Sequence, residues 1–342
     1  MLVYRKSIYL LFLFVLLFSQ KGMGQNLRRF SYSEPAMGTV MHMVFYATDS
    51  VTAQHAAKAA FGKVASLNVV FSDYDNGSEL SQLCNKYEVG RSVKVSAALF
   101  DILHNAKEIS RVTHGRFDVT VGPFTKLWRR AKNEHKLPTK YELSLAKGIV
   151  GYKNICLNAN NKTMAFKKKG MQIDLGAIAK GYTADEVLKV LESYSISRVL
   201  VDFGGDITTS NPPPNKKGWQ VAVRYNNHAG KQVSEVMSIC NTAIATSGDL
   251  YQKLAIDGKT YSHIIDPSTG LGLTKSVQVT VIASSGMLAD AYASAFSVMC
   301  KKDVKKLLRK NKNLQAMIVS SAHDSTEVWK SASFDKFLLK TN

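Results

Sequence analysis

The period of the hydrophobic positions changes several times along the chain, which predicts a mixture of strands and helices. In Met41–Tyr46, large side chains occupy both alternating sets of positions, a pattern typical of a strand that packs on both faces. Ala53–Leu67 is rich in alanine and has apolar residues at helical spacing, so it predicts a helix. A second helix is predicted to start after Ser96, a good capping residue, and to stop at Gly115.

The second half of the chain predicts the same mixture. Helices are predicted at Ala179–Tyr194 and Leu288–Met299, with a helical continuation at Val304–Leu308. There is no steady alternation of strand and helix, and no linker divides the chain. We therefore expect an α+β fold of mixed sheets with packed helices, rather than a doubly wound sheet. The strands are predicted at Arg198–Phe203, Trp219–Tyr225, Val236–Ile239, Val277–Ala283, Ala316–Ser320 and Glu327–Lys330.

The first residues have the pattern of an export signal. Two basic residues precede the apolar run Ile8–Phe18, and the small residues Gly22 and Gly24 follow it. The run is shorter than the roughly 20 residues of a membrane-spanning helix, and an uncleaved anchor is the alternative. We expect a signal peptide at residues 1–24 and one domain over residues 25–342, outside the cytoplasm and soluble or peripheral at the membrane.

Composition and charge narrow the class of partner. Of the 342 residues, 45% are hydrophobic and 21% are charged, which excludes extended disorder and a multi-pass membrane protein. The net charge of +19 favours an anionic partner. The export signal and the lack of a binding motif argue against nucleic acid. The basic run from Lys301 to Lys312 is interpreted as a solvated helix face, with contact to anionic lipid as the alternative.

The four cysteines form no C-x-x-C pair, so a zinc or redox site is not indicated. Their even number permits disulfides in any of three pairings. Cys156 and Cys240 lie in apolar, strand-like runs, and we favour buried free thiols. The other two are Cys84 and Cys300.

Common nucleotide-binding, zinc-protease and hydrolase signatures are absent. Instead, small-residue segments with a polar group at each turn recur along the chain. Together, in order and spacing, they resemble the ApbE family of bacterial FAD:protein FMN transferases. These segments are Ala36–Thr39, Tyr74–Asn85, Phe117–Pro123, Ile173–Gly181, Phe203–Asp206, Thr246–Asp249, Ser262–Gly270 and Ala289–Ser294.

The resemblance implies a reaction, its cofactors and a location. FAD is the donor, Mg²⁺ is the cofactor, and a Thr or Ser hydroxyl of a partner redox protein accepts FMN through a phosphoester while AMP leaves. Family members are exported, so the periplasm is the expected compartment. They are often lipid-anchored, whereas here no cysteine follows the apolar run before Cys84. The alternatives are an FAD pyrophosphatase that gives FMN and AMP, and a non-catalytic flavin-binding carrier.

The resemblance assigns the metal site to Asp290, Ser294 and the carbonyl of Ala177. Asp290 and Ser294 are four residues apart on one predicted helix, so both oxygens face the same way, and hard oxygens are the ligands that Mg²⁺ prefers. Family members usually have Thr at the position of Ser294, which keeps the hydroxyl. The alternative is that Asp290 only caps or solvates a helix.

The resemblance also implies a set of FAD contacts. The thioether of Met37 and the aromatic rings of Tyr74 and Phe117 suit stacking on the flat flavin ring. Core packing is the alternative for these side chains, most of all for Phe117. Asp174 is expected to orient the FAD, and Lys180 is expected to contact a phosphate. The alternative is that Asp174 only marks the start of a helix and that Lys180 is solvated. Asp206 and Asp249 are interpreted as turn caps, outside the site. The full set is Met37, Tyr74, Phe117, Asp118, Thr120, Asp174, Lys180 and Ile265.

His263 is the candidate general base, because it is the only histidine inside a family motif. A threonine hydroxyl is a poor nucleophile and profits from a base whose pKa is near 7. A structural role is the alternative. If His263 is the base, the rate of transfer should rise with pH through an imidazole pKa, ordinarily about 6.5, and then level off.

We predict that the mature protein begins near Gln25, because the small residues before it fit a cleavage site. Intact mass spectrometry of the exported protein measures this directly. A mass that retains residues 1–24, or that includes a diacylglycerol group, would contradict the prediction.

Overall fold

An antiparallel sheet of eight strands lies at the centre of the fold. The computed structural model describes residues 26–227, 229, 231–248, 253–322 and 325–339, so the predicted signal peptide lies outside it. All neighbouring strands of this sheet are antiparallel. Their spatial order is β1 (Arg28–Ala36), β2 (Thr39–Ala47), β6 (Val199–Phe203), β7 (Ile207–Thr209), β10 (Thr242–Gly248), β13 (Ser276–Ala283), β14 (Gln315–Ala322) and β15 (Ser325–Lys330).

Three smaller sheets and a set of helices surround the central sheet. The strands are β3 (Val93–Lys94), β5 (Thr163–Phe166) and β4 (Ile155–Asn158) in one sheet, β8 (Trp219–Asn226) with β9 (Gln232–Ile239), and β11 (Lys253–Ile256) with β12 (Lys259–Ser262). The helices are α1 (Ser50–Phe71), α2 (Glu79–Lys86), α3 (Ala97–Val112), α4 (Gly122–Glu134), α5 (Lys140–Ile149), α6 (Ala179–Ser193), α7 (Gly286–Val298) and α8 (Lys301–Lys310). Short 3₁₀ turns lie at Val119–Val121, Tyr152–Asn154 and Phe334–Phe337.

Both faces of the central sheet are covered, by different elements. In β13, Val279 and Val281 point into the main hydrophobic cluster, which includes buried residues of α3 and α7. Ile282 points to the opposite face, where the β8–β9 hairpin packs through Trp219. β2 is covered in the same way, because Met43 packs with helices α1 and α6 while Val44 packs on the hairpin side. The expected α+β fold is therefore confirmed, as is the strand that packs on both faces.

The predicted elements agree with the structure within a few residues at their ends. Ser96 caps α3, and its hydroxyl accepts a hydrogen bond from the Leu99 amide at 3.2 Å. Helices α2, α4 and α5 were not predicted; α2 has only eight residues, and α5 buries only Ala146. In α4 the buried large side chains are Phe124 and Trp128, and five of its thirteen residues are charged.

The burial expected for two cysteines is wrong. Cys156 is exposed and Cys240 is half-buried, whereas Cys84 is buried. Cys156 occupies an outward position of β4, next to the buried Ile155, because side chains alternate between the two faces of a strand. The four cysteines are free thiols in the described structure, as predicted.

Helices α6 and α7 cross in direct backbone contact. A Cβ atom at Gly181 would lie 2.1 Å from the carbonyl oxygen of Gly286, and a Cβ at Gly286 would lie 2.6 Å from the carbonyl oxygen of Gly181. Only glycine at both positions permits this approach. The crossing brings the first turn of each helix against the other.

We predict that Gly181→Ala destabilises the protein by at least about 1–3 kcal/mol, because the added methyl group forces the helices apart. The matched control is Gly62→Ala in α1, where a Cβ meets no atom within 4 Å. It should be neutral, or stabilising by up to about 1 kcal/mol. Urea unfolding measures both, and similar stabilities for the two variants would refute the close crossing.

Candidate active site

First-turn amides of α6 and of α7 are each capped by a carboxylate of the other helix. Asp290 of α7 accepts a hydrogen bond from the Gly181 amide at 3.1 Å. Asp185 of α6 accepts from the Gly286 amide at 2.7 Å and from the Met287 amide at 3.0 Å. Amides in a first turn have no partner within their own helix, and no side chain at the position before α6 caps it. Asp290 therefore acts as a cap, as the alternative interpretation proposed, but of a different helix.

The crossing concentrates negative charge in the interior. Burial raises the pKa of Asp290, and the nearby carboxylate of Asp206 raises it further, although Lys180 opposes this. Burial also raises the pKa of Asp185 to about 6, against the effect of its two amide donors. Asp206 and Asp290 thus share the ammonium group of Lys180, whereas Lys189 is the cation that lowers the pKa of Asp185.

Lys180 is paired with Asp206, a residue that sequence reasoning left outside the site. Its Nζ donates to the buried Asp206 carboxylate, and the backbone amide of Thr246 also donates to that carboxylate. Gly204 and Gly205 precede Asp206 with φ angles of +66° and +104°. The paired glycines, which permit such a turn, are the only sequence signal that could have indicated an inward-pointing aspartate.

The residues predicted to hold a metal fit a hard cation. One oxygen of Asp290 is used by Gly181, and Oδ1 has no hydrogen-bond partner among the described residues. The Ser294 hydroxyl, one turn further along α7, likewise makes no hydrogen bond within the described part of the chain. Because the Gly181 amide donates to Asp290, it does not donate to the Ala177 carbonyl four residues before it. The helix crossing therefore leaves three oxygens available.

No group of three or more His, Cys, Asp or Glu side chains in the described structure is arranged to hold a metal ion. Mg²⁺ commonly takes only one or two carboxylates and keeps several waters. Burial and Asp206 raise the pKa of Asp290, and a cation bound beside its carboxylate would lower that pKa again.

A second cluster forms around Arg129 of α4. The guanidinium carbon lies 4.0 Å from the ring centroid of Tyr74, a side chain that is 80% exposed. Arg129 Nη2 is 2.5 Å from Asp73 Oδ2 and 4.0 Å from Asp174 Oδ2. Asp174 Oδ1 accepts from the Gly176 amide at 2.8 Å. Tyr74 and Asp174, both predicted FAD contacts, are thus brought together by an arginine that sequence reasoning missed.

Three of the predicted FAD contacts have inward-facing side chains. Phe117 is buried in the main core. The buried Asp118 carboxylate accepts from the amide and hydroxyl of Thr120 and from the Tyr152 amide, at 2.7–2.9 Å. The Thr120 hydroxyl accepts from the Gly151 amide at 2.7 Å. Burial of Phe117 and the hydrogen bonds of Asp118 and Thr120 favour structural roles for these side chains.

The same segment supports the site through its backbone. The Val119 carbonyl accepts a hydrogen bond from the Asp174 amide at 2.8 Å. The Asp118 hydrogen bonds fix the turn that contains Val119. The segment therefore holds Asp174 in place.

Met37 lies in the two-residue turn between β1 and β2. Met37 and Gly38 both have positive φ angles, +50° and +76°, as this tight hairpin turn requires. The Met37 side chain is half-buried and contacts both helix-covered clusters. The adjacent Thr39 lies against Gly204, since a Cβ there would be 2.6 Å from its hydroxyl. The turn is thus next to the segment that carries Asp206.

His263 is exposed in the loop that follows β12, and Ile265 is half-buried in the same loop. The loop is tied to α4 and the residues before it. Trp128 Nε1 donates to the Gly270 carbonyl at 2.8 Å, and Arg116 lies 3.5 Å from Asp266. Helix α4 therefore carries Arg129 and also supports the loop that contains His263. Asp249 lies outside the described residues.

Comparison with known proteins identifies the family. The ApbE family model matches residues 37–318. The chain belongs to the ApbE family. It is 30% identical over 319 residues to the FAD:protein FMN transferase of Haemophilus influenzae, covering 91% of this chain and 92% of that relative. It is also 30% identical over 312 residues to the enzyme of the same name from Vibrio cholerae, covering 90% of this chain and 92% of the relative.

The fold agrees with solved ApbE structures. The flavin transferase ApbE from Vibrio cholerae superimposes with a TM-score of 0.81 at 28% identity, covering 91% of this chain and all of that one. The ApbE protein from Thermotoga maritima gives a TM-score of 0.80 at 28% identity, covering 92% of this chain and all of that one. The ApbE resemblance inferred from the sequence is thus confirmed.

The basic run predicted near the C-terminus lies mostly in helix α8, and only some of its side chains contact other described residues. Helix α8 buries Val304, Leu307 and Leu308, and most of its basic side chains are exposed. Lys301 pairs with Glu327, and Lys305 Nζ lies 5.4 Å from the ring centroid of Trp329. None of the described helices is long and apolar enough to cross a membrane.

We predict that Lys180→Met lowers stability at pH 8, by at most about 3 kcal/mol because the lysine side chain is 31% exposed. Without its partner, the buried Asp206 has a higher pKa in the folded state than in the unfolded state. The folded variant then binds a proton more tightly, so the lost stability should return as the pH falls below that pKa.

Urea unfolding at pH 5 and pH 8 measures this effect. The double variant Lys180→Met/Asp206→Asn is the control, and its stability should depend less on pH. A Lys180→Met defect of equal size at both pH values would contradict a buried ion pair.

Proposed function

We propose that this chain transfers FMN from FAD to a threonine or serine hydroxyl of a partner redox protein, with Mg²⁺ as cofactor. The observation that carries the proposal is the crossing of α6 and α7. It places oxygens suited to a cation beside Lys180, in a chain whose relatives are FAD:protein FMN transferases. With a cation bound, the site would offer the two groups that a pyrophosphate substrate needs, a cation and a fixed ammonium.

The metal would be held by Asp290 Oδ1, the Ser294 hydroxyl and the Ala177 carbonyl. Bound there, Mg²⁺ supplies neutralisation of the pyrophosphate charge. Lys180, at the start of α6, would contact a phosphate oxygen. The positive end of the α6 dipole would also favour an anion at this end of the helix.

The flavin part of FAD would lie toward Tyr74, Met37 and Asp174. Tyr74 presents an exposed ring, which suits stacking on a flat heterocycle. Asp174 Oδ2 faces Arg129, and Asp174 Oδ1 accepts a hydrogen bond from the Gly176 amide. Met37 is half-buried in the turn next to the segment 204–206, and its thioether would contact the flavin ring.

The transfer is a displacement at phosphorus. The acceptor hydroxyl oxygen forms a new bond to the FMN phosphorus, and the bond from that phosphorus to the bridging oxygen breaks. AMP leaves with the electron pair of the broken bond. His263 takes the proton of the hydroxyl, and its exposed position suits a base that meets an incoming protein.

The location follows from the predicted export signal. We propose that the mature protein works in the periplasm on a membrane-associated acceptor. The exposed basic side chains of α8 would supply a peripheral contact with anionic lipid.

We predict that Asp290→Ala abolishes transfer while FAD still binds weakly, because the carboxylate holds the cation and caps α6. The assay incubates the protein with FAD and Mg²⁺, with and without an acceptor domain, and follows flavin fluorescence in the protein band. Ser294→Ala should be milder, because water can replace one neutral ligand, and Ser294→Thr should be tolerated. Asp303→Ala, on the exposed face of α8, is the control. Transfer by Asp290→Ala at the normal rate and low Mg²⁺ would remove Asp290 from the site.

We predict that His263→Ala slows transfer by roughly a hundredfold to ten-thousandfold, the usual contribution of a general base, with little change in FAD affinity. His263→Gln should behave like alanine, because it keeps a hydrogen bond but no base. His55→Gln, an exposed histidine of α1, is the matched control. Recovery of activity with glutamine would instead assign His263 a positioning role.

A further inference from the structure

Hydrogen bonds fix the backbone of the loop between α1 and α2, and one aromatic ring of this loop is exposed. The Ser72 hydroxyl accepts from the amides of Tyr74 and Asp75, at 3.3 and 3.1 Å. Asp75 Oδ1 accepts from the Gly77 amide at 2.8 Å. Tyr74 lies at the tip of this loop with 80% of its surface exposed. The exposed ring leaves a flat surface available for stacking.

The inner face of the Tyr74 ring is already occupied by Arg129. The guanidinium lies 4.0 Å from the ring centroid, within the distance of a cation–π contact. Its other contacts are the Asp73 carboxylate at 2.5 Å and the Asp174 carboxylate at 4.0 Å. These two carboxylates hold the flat group beneath the ring.

Arg129 also balances the charge of this cluster. Partial burial raises the pKa of Asp73, and the neighbouring Asp174 raises it further, while Arg129 lowers it. Without the arginine, two carboxylates would face each other beneath an unsupported ring. Arg129 is therefore the group that holds the loop, Asp174 and Tyr74 in one arrangement.

We propose that Arg129 is a positioning residue for FAD, acting through Tyr74. It fixes the ring so that the outer face is ready to stack on the isoalloxazine of FAD, and it does not itself touch the flavin. Fixing the ring before binding removes part of the entropy cost of ordering it. The inference rests on the proposed function, because it takes FAD as the ligand.

Helix α4 offers a matched control next to the tested residue. Arg130 points to a different set of partners, Glu142 at 2.5 Å and Glu134 at 3.7 Å. Arg130→Ala removes the same side chain from the same helix without affecting the Tyr74 ring.

The test is titration of FAD without divalent cation, followed by quenching of flavin fluorescence. Arg129→Ala should raise the Kd for FAD by about threefold to tenfold, the range expected for losing one pre-ordered side chain. The Kd for FMN should rise in parallel and that for AMP should not change. In transfer assays, KM for FAD should rise while kcat at saturating FAD stays within about twofold. Arg130→Ala should match the wild type.

A double-mutant cycle with Tyr74→Ala tests whether Arg129 acts through the ring. In the Tyr74→Ala background, Arg129→Ala should have little further effect on the Kd for FAD. An undiminished effect would overturn the proposal, as would an unchanged Kd in the single variant or a parallel rise for AMP.

Arg129→Lys covers the case in which the alanine variant fails to fold. It keeps the charge between Asp73 and Asp174 but loses the flat face, so the Kd for FAD should still rise about threefold. Full recovery with lysine would show that charge alone matters and would overturn the stacking role. If the wild-type protein binds no FAD, the proposed function itself fails, which differs from binding that Arg129 does not influence.

Discussion

The reciprocal capping of α6 and α7 is the interaction on which the site depends. Each helix has first-turn amides that need an acceptor, and each receives it from an aspartate of the other helix. This requires the backbones to touch, which only the pair Gly181 and Gly286 permits. Once this geometry is set, one oxygen of Asp290 is used for capping and the other has no hydrogen-bond partner among the described residues. In the proposed function, one carboxylate would serve both as a structural cap and as a metal ligand.

The charge of the site follows from the same arrangement. Capping two helices with aspartates places carboxylates in the interior, and Asp206 adds a third beside Lys180. Burial of this much negative charge is unfavourable unless a cation joins it. A divalent cation and an anionic pyrophosphate bind together well in such a place, because each compensates the charge of the other. This connects the helix crossing to the chemistry proposed for the chain.

Local sequence patterns predict part of this architecture. Ser96, the glycine stop and the i, i+4 spacing of Asp290 and Ser294 are local signals, and the structure has the helices that they predict. Asp185 and Arg129 have no such signal, because their partners lie far away in the chain, and Asp206 has only the paired glycines before it. The reverse holds for the segment that contains Phe117, Asp118 and Thr120. Its sequence motif is distinct, yet these side chains face inward, and the segment supports Asp174 through its backbone.

If the helix crossing leaves Asp290 Oδ1, the Ser294 hydroxyl and the Ala177 carbonyl available to one cation, a crystal structure with Mn²⁺ as an anomalous scatterer in place of Mg²⁺ will reveal it. We expect one anomalous peak within about 2.5 Å of all three oxygens, with the Gly181 amide still donating to Asp290. A peak held by Asp185 or Asp206 without Asp290, or a bound metal that breaks the Gly181 hydrogen bond, would contradict it.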